Sequence, residues 1–298
     1  MNDASPEQER QQLREAVRRQ PGDFIGWLML ADAEMEAAAL DTAAQALQRA
    51  HALRGDHPET LARMGRLQWM QGRHAQAIVL LQRASAQAPQ HPGIALWLGH
   101  ALEDGGEAEA AAQAYAMAHR LLPDEPHIAA QYLNWRRRLC DWDGLEPLSL
   151  QVRRAVGQGR PGVEPFAFLS EDASAAEQLA CARLRAAPLA RIRPLPPARV
   201  RARGPLRLGF LSNGFGAHPT GLLTVALFEA LRAQSAVEAH LFALNRDDGS
   251  EIRRRLAAAT VLHDVAGRPH RETAAAIRET GIDLLFDLRG WGGGGTPE

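Results

Sequence analysis

The feature that most constrains the fold of this chain is a 34-residue period in its N-terminal part. Small residues recur at fixed positions of the period, large apolar residues recur beside them, and Pro or Gly recurs where a helix would end. The sets are Leu13, Leu47, Leu81 and Tyr115; Ala16, Ala50, Ala84 and Ala118; Ala43, Ala77 and Ala111; Ala31, Gly65 and Gly99; Leu30, Met64 and Leu98; and Pro21, Gly55, Pro89 and Pro123. Small residues let paired helices approach closely, and the large ones fill the space beside them. The period therefore predicts stacked helix pairs.

Proline also marks where the first helix of each pair begins. Pro58, Pro92 and Pro126 share the period, and at the first helical position the missing N–H costs nothing. His57 and His91 precede two of these prolines at equivalent positions, so we interpret them as structural turn residues. The remaining histidines of this part show no metal-ligand spacing.

The pattern starts with a half-repeat at residues 5–19, opened by Ser5 as N-cap, and decays beyond Tyr132. A helix pair repeating every 34 residues is typical of tetratricopeptide repeats (TPRs). We therefore predict a TPR-type α-solenoid over residues 1–133. Such arrays usually bind an extended peptide along their first helices, and the alternative is a scaffold that only orients the next domain.

Composition narrows the class of protein. The net charge is −1, which favours neither nucleic acid nor an anionic membrane as partner. All 34 basic residues are Arg and are scattered along the chain, which we interpret as a compositional bias; the alternative is Arg-rich anion recognition. Cys140 and Cys181 suit neither a disulfide framework nor a metal site. The N-terminus lacks a secretory pattern, and no apolar run reaches the roughly 20 residues of a spanning helix. We expect a soluble, cytoplasmic protein without a metal.

Two connecting segments follow the repeats. Residues 134–182 still show a helical pattern, with expected breaks at residues 140–144 and at Pro165-Phe166, and a capping box formed by Ser174 and Glu177. Residues 183–205 are rich in Arg and Pro and contain no acidic residue. Because helix should not persist through this many prolines, we predict an extended linker there.

The period changes at Leu206, where strand and helix patterns begin to alternate. The expected strands are 206–212, 237–244, 260–265 and 282–288, and the expected helices are 220–233, 251–259 and 271–280. This alternation predicts a parallel sheet with ligands at the carboxyl ends of its strands. The fold class is thus α plus α/β, a solenoid followed by a partial Rossmann-like sheet over residues 206–298.

The loop after the first strand is the strongest candidate for a site. Gly214 and Gly216 resemble the start of a dinucleotide fingerprint, but Pro219 stands where its third glycine belongs, so a nicotinamide site is not expected. Without any Lys, a Walker-type phosphate loop is excluded. His218 precedes Pro219, which places an imidazole beside free helix N–H groups suited to an anion; the alternative is a His that merely caps the loop.

A second candidate element ends the last strand. Asp287 and Gly290 lie on the same expected rim, followed by Trp291 and a run of four glycines over 292–295. Glycines allow close approach of a ligand to the backbone, and they are equally typical of a flexible tail.

Several short segments together resemble a known family. They are Cys140-Asp141-Trp142 after the repeats, Leu208-Gly209-Phe210-Leu211-Ser212, Gly216-Ala217-His218-Pro219-Thr220, Asp247-Asp248-Gly249, and Asp287-Leu288-Arg289-Gly290. With the repeats, they resemble the O-linked N-acetylglucosamine (O-GlcNAc) transferase family in its bacterial form. The resemblance implies a GT-B fold, in which two Rossmann-like halves face each other across the active site.

The resemblance also implies a reaction. Members of the family transfer GlcNAc from UDP-GlcNAc to Ser or Thr hydroxyls of proteins, with inversion and without a metal or other cofactor. It places His218 in the active-site cleft, where it is a candidate general base, and makes Gly216, Pro219, Thr220, Asp287 and Gly290 candidates for substrate binding.

Two departures from the family qualify these expectations. The second Rossmann-like half, with its Lys near the diphosphate, lies beyond the segment that matches, so we expect the activity to require that half. Animal members line the repeat groove with Asn, whereas here no Asn occurs between Asn2 and Asn134. The alternative function is a peptide-binding adaptor whose α/β part is not catalytic.

Overall fold

The computed structural model describes residues 6–192, 194–196 and 204–290, and the chain divides into two compact units, Met1–Arg185 and Ala186–Glu298. The predicted cap at Ser5, Trp291 and the glycine run over 292–295 lie outside the described residues.

The first unit is helical throughout its described part. Its helices are α1 Pro6–Arg19, α2 Phe24–Glu36, α3 Leu40–Arg54, α4 Pro58–Met70, α5 His74–Gln87, α6 Pro92–Asp104, α7 Ala108–Leu121, α8 Pro126–Arg138, α9 Leu145–Gly157, α10 Pro165–Phe168 and α11 Ala175–Ala186. Helix α2 packs on α3, α4 on α5 and α6 on α7, with α1 preceding them. The predicted solenoid of three helix pairs behind a half-repeat is confirmed.

Packing inside each pair explains the small residues of the period. A Cβ added to Gly65 would lie 2.6 Å from Cγ of Leu81, and one added to Gly99 would lie 2.6 Å from Cε1 of Tyr115. Leu81 and Tyr115 occupy the same repeat position and are fully buried. The first helix of a pair thus needs a small residue where the large residue of the second helix enters.

The connector differs from prediction at one point. The predicted break at Pro165-Phe166 lies inside a longer interruption between α9 and α11, in which Pro165 opens the one-turn helix α10, where a missing N–H costs nothing. The predicted capping box is confirmed: Ser174 N–H donates to Glu177 Oε2 at 2.7 Å, and Glu177 N–H donates to Ser174 Oγ at 3.3 Å.

The start of the predicted linker is also helical rather than extended. Helix α11 continues to Ala186, and a 3-10 helix follows over Ala187–Arg191. Pro188 lies in the first turn of that 3-10 helix. At this position its ring disturbs no earlier hydrogen bond, so this proline does not stop the helix.

The second unit contains a parallel sheet. Its elements are β1 Leu206–Ser212, α12 Pro219–Arg232, β2 Val237–Ala243, α13 Glu251–Ala259, β3 Val261–Asp264, α14 His270–Glu279 and β4 Leu284–Asp287. The strand order is β3-β2-β1-β4, and every pairing is parallel. The predicted partial Rossmann-like sheet is confirmed.

Strand β4 is shorter than the predicted 282–288. Its pairing with β1 runs only from Leu284 to Asp287. The Asp287 carboxylate then accepts the N–H groups of Arg289 and Gly290, both at 2.9 Å. This Asx turn ends the strand one residue before the apolar pattern ends.

Helices cover both faces of the sheet. On one face Phe210 and Leu241 pack in a cluster with Phe228 of α12 and Leu256 of α13. On the other face a second cluster of Leu211, Phe242 and Val265 includes Ile277 of α14. Burial on both faces is why β1 and β2 read as nearly continuous apolar runs. Along the described residues, no helix combines the length and apolarity that crossing a membrane requires.

Candidate active site

The loop between β1 and α12, residues 213–218, is called the His218 loop. Its backbone folds on itself in two three-residue turns: Gly216 N–H donates to the Gly214 carbonyl at 3.1 Å, and His218 N–H donates to the Gly216 carbonyl at 2.8 Å. The loop follows the carboxyl end of β1, the edge at which parallel sheets bind ligands.

Three glycines make this compact course possible. A Cβ on Gly216 would lie 2.3 Å from Oδ2 of Asp248, and a Cβ on Gly214 would lie 2.4 Å from Nδ1 of His218. A Cβ on Gly221 would lie 2.2 Å from the carbonyl oxygen of Gly216. At each of these positions a side chain would collide with the group that approaches the backbone, so glycine is required.

Side chains that follow β2 in the sequence hold the His218 loop in place through hydrogen bonds to its backbone. Asn245 accepts the Phe215 N–H at 3.1 Å and donates its amide to the Phe215 carbonyl at 3.0 Å. The buried Arg253 donates Nη1 to the same carbonyl at 2.9 Å. Asp248 accepts the Ala217 N–H at 2.7 Å. Side chains that follow one strand thus position the loop that follows the neighbouring strand.

Hydrogen bonding keeps Asp248 ionised. The Ala217 N–H, followed by the side chain and the backbone N–H of Ser250, lowers the pKa of Asp248 to about 2. Because these donors favour the carboxylate over the acid, the contact with the His218 loop is present at neutral pH.

His218 is the N-cap of α12. Its backbone is extended, with φ −131° and ψ 151°, its Nδ1 accepts the Thr220 N–H at 3.2 Å, and its carbonyl accepts the Leu222 N–H at 3.0 Å. Pro219 occupies the first turn, as predicted for a residue without an N–H. The imidazole is half-buried at the positive end of the helix dipole, which favours a negatively charged group nearby.

The other candidates fall into two places. Gly216, Pro219 and Thr220 adjoin His218 on the loop and the first turn of α12. Asp287 and Gly290 end β4, whose Leu288 N–H donates to the Leu211 carbonyl of β1 at 3.0 Å. The two groups therefore share the carboxyl rim of neighbouring strands. Their roles in binding and catalysis stay predictions.

Sequence patterns assign no role to Asn245, Asp248 or Arg253. Asp248 belongs to a segment that carries the family resemblance, but no spacing rule connects it with Ala217, which is 31 positions away. Only the parallel pairing of β1 with β2 brings the two loops together. Within the described part of the chain, no group of three or more His, Cys, Asp or Glu side chains could hold a metal ion.

Matches to known protein families fall separately on the helical repeats and on the α/β part of the chain. Residues 193–298 match the sequence profile of glycosyl transferase family 41, and residues 10–58 and 68–131 match tetratricopeptide repeat profiles. The chain joins tetratricopeptide repeats to a glycosyl transferase family 41 segment. The His218 loop and the sheet that carries it lie within that family 41 segment.

Similar chains were found among solved structures. A mutant O-GlcNAc transferase of Thermobaculum terrenum is 22% identical, with 88% of this chain and 45% of that chain covered, at a TM-score of 0.44. MamA from Desulfovibrio magneticus RS-1 is 20% identical over 52% of this chain and 88% of that chain, also at 0.44. YrrB, described as a TPR protein with an unusual peptide-binding site, is 15% identical over 52% of this chain and 78% of that chain, at 0.44.

The chain spans less than half the length of the Thermobaculum transferase. Among curated protein sequences no match was found.

Proposed function

We propose that this chain is the repeat-bearing N-terminal portion of a protein O-GlcNAc transferase. The reaction is transfer of GlcNAc from UDP-GlcNAc to a Ser or Thr hydroxyl of a protein, with inversion and without a metal or other cofactor. The observation that carries the proposal is the position of His218, on a braced loop at the carboxyl end of β1 within the family 41 segment.

The chemistry of the transfer requires few protein groups. The acceptor oxygen attacks C1 of the sugar, the bond from C1 to the diphosphate oxygen breaks, and the hydroxyl proton passes to solvent water or to an oxygen of the departing diphosphate. Positioning and stabilisation of the departing diphosphate supply much of the rate in transfers of this kind. The start of α12 suits that task, because a helix N-terminus attracts anions.

We expect the acceptor protein to bind along the first helices of the repeats. Ile25 and Met29 lie one turn apart on α2 and are 54% and 51% exposed. Farther along, the Arg66 guanidinium lies over the ring of Trp97 at 5.3 Å. These side chains offer apolar and cationic contacts in place of the Asn that animal members carry.

The proposal is tested by measuring UDP release from UDP-GlcNAc by the full-length protein and by its His218→Ala variant. We expect turnover to fall about 100-fold to 1,000-fold, the scale seen when one group positioned at a developing negative charge is removed. A matched control is His91→Ala, which removes the equivalent helix cap from a repeat. Turnover of His218→Ala equal to that of His91→Ala would contradict a catalytic role of His218.

The second candidate is a peptide-binding adaptor whose α/β unit is not catalytic, which the exposed Ile25 and Met29 would serve equally well. It predicts peptide binding without affinity for UDP in the full-length protein. Isothermal titration with UDP separates the two: binding supports the transferase, and its absence together with retained peptide binding supports the adaptor.

A further inference from the structure

Three histidines of this chain precede a proline at the start of a helix and cap that helix through Nδ1. Nδ1 of His57 accepts the Glu59 N–H at 3.3 Å, Nδ1 of His91 accepts the Ile94 N–H at 3.2 Å, and Nδ1 of His218 accepts the Thr220 N–H at 3.2 Å. His57 and His91 lie in the repeats and His218 lies in the α/β unit, yet the cap is common to all three.

The cap decides which nitrogen of the neutral ring carries the proton. A nitrogen that accepts a hydrogen bond bears a lone pair, and a neutral imidazole has one such nitrogen and one N–H. Because Nδ1 accepts the Thr220 N–H, the proton of neutral His218 resides on Nε2. Nε2 is then a hydrogen-bond donor and has no lone pair with which to accept a proton.

His91 shows the consequence within this same molecule. Its Nδ1 caps α6, and its Nε2 lies 3.1 Å from Oε1 of Glu59. The ring thus accepts from the backbone on one side and donates to a negatively charged oxygen on the other. His218 has the same cap, and its Nε2 offers the same donor.

The ring of His218 is also held close to its neighbours. Gly214 leaves only enough space for the imidazole, since a Cβ there would lie 2.4 Å from Nδ1 and 3.0 Å from Cε1. Rotation of the ring about its Cβ–Cγ bond would remove Nδ1 from the Thr220 N–H and leave a helix N–H unpaired. Close packing and the cap together favour one orientation of the ring.

We propose that His218 acts as a hydrogen-bond donor through Nε2–H toward a phosphate oxygen of the sugar nucleotide, and not as the base that removes the acceptor proton. The inference rests on the proposed function for the identity of the anion. The donor role itself rests on the cap. In this role His218 neither gains nor loses a proton, and it stabilises the negative charge that grows on the departing diphosphate.

The first test measures the tautomer of His218 in the 298-residue chain labelled with ¹⁵N. A long-range ¹H–¹⁵N correlation spectrum in alkaline buffer, with the signal assigned by its loss in His218→Asn, should show a protonated Nε2 and an unprotonated Nδ1. His91, assigned through His91→Asn, should show the same pattern and serves as internal reference. A protonated Nδ1 in His218, or averaging of its two nitrogens, would overturn the inference.

The second test compares His218→Asn with His218→Asp in the full-length protein by UDP release. Asn and Asp are both good N-caps, so α12 keeps its start in each variant. Asn retains an N–H donor, whereas Asp offers only acceptors. We expect Asn to retain at least several-fold more turnover than Asp; turnover of Asp equal to or above that of Asn would indicate a base and contradict the donor role.

The two tests fail separately from the proposed function. The tautomer is read without substrate, so a protonated Nδ1 would refute the donor role and leave the transferase proposal intact. Absence of UDP release in the wild-type protein would refute the transferase proposal and leave the tautomer result unchanged.

Discussion

At the scale of single residues, Asp248 is the side chain whose role depends most clearly on the fold. Its carboxylate accepts the Ala217 N–H, and the same oxygen would lie 2.3 Å from a Cβ on Gly216. Gly216, which is predicted to bind substrate, is therefore also required so that Asp248 can approach the backbone of the His218 loop. This reason for Gly216 can be tested apart from catalysis.

Replacing Asp248 with Ala should loosen the His218 loop. The Ala217 N–H loses its acceptor, and we expect its exchange with solvent deuterium to accelerate several-fold because local opening becomes easier. Asp247→Ala is the matched control: Asp247 accepts the neighbouring Gly249 N–H, and no hydrogen bond among the described residues joins it to the His218 loop, so this substitution should leave Ala217 exchange unchanged. Equal exchange at Ala217 in the wild-type and Asp248→Ala proteins would contradict the role of Asp248.

The same contact has a defined pH dependence. Hydrogen bonds lower the pKa of Asp248 from 3.8 to about 2, so its contribution is complete above pH 3.8 and is lost as the pH falls toward 2. Ala217 exchange, corrected for its intrinsic pH dependence, should rise in that window, and in Asp248→Ala this rise should be absent.

At the scale of elements, each repeat depends on one small residue facing one large one. Gly99→Ala places a Cβ 2.6 Å from Tyr115 Cε1, and overpacking of this kind costs about 1–3 kcal/mol. Gly157→Ala at the end of α9 meets nothing within 4 Å and should raise the free energy of unfolding by up to about 1 kcal/mol. Urea denaturation measures the free energy of unfolding of both variants against the wild type. A Gly99→Ala protein as stable as the wild type would contradict the close packing of Gly99 on Tyr115.

His100 gives the repeats a pH dependence of their own. Burial, followed by repulsion from His127, lowers its pKa from 6.5 to about 4, with Asp104 opposing the shift. Its Nδ1 lies 2.8 Å from the hydroxyl of Tyr115, and Trp69 stacks on its ring. The ring is therefore neutral in the folded repeats above about pH 4, because burial and repulsion from His127 disfavour its protonated form.

Because the unfolded chain binds the proton below pH 6.5 and the folded chain does not, stability is complete above pH 6.5 and is lost as the pH falls toward 4. The expected loss is on the order of 2–3 kcal/mol. His100→Gln should flatten this part of the curve, measured by urea denaturation across that range, and should match the wild-type slope above pH 6.5. An unchanged slope between pH 6.5 and 4 in the variant would exclude His100 as the cause.

At the scale of the whole molecule, strand β4 forms an edge of the described sheet. Its apolar side chains are unusually accessible: Leu284 is 51% exposed and Phe286 is 45% exposed. An exposed apolar edge strand is a template for pairing with another chain. We expect the 298-residue chain to self-associate through β4.

Leu284→Lys should reduce this association, measured by sedimentation velocity over a range of concentrations, because a charge on an edge strand opposes pairing. Leu223→Lys is the control: Leu223 is 82% exposed but lies on helix α12, which has no edge to pair. Equal effects of the two substitutions would indicate nonspecific hydrophobic association instead of strand pairing through β4.

The helix pairs and the order of strands and helices could be predicted from local sequence patterns alone. Ala43, Ala77 and Ala111 are all fully buried, as their spacing predicted, because the residues that specify a helix pair lie within one repeat. The start of α12 at Pro219 and the capping box of Ser174 were predictable for the same reason, since a cap acts over only a few residues. The outcome at Pro188 depended on a local choice between linker and 3-10 helix that composition did not resolve.

How the candidate site is held in place depends on contacts between segments that are distant in the sequence. Asp248, Asn245 and Arg253 contact a loop about 30 to 40 positions earlier in the chain, and parallel pairing of β1 with β2 is what joins them. The tautomer of His218 was likewise hidden, because the His-Pro pair identifies a cap but not which ring nitrogen accepts the N–H. Local patterns specify elements, whereas contacts between distant segments require the register of the sheet, and that register is set by packing on both of its faces.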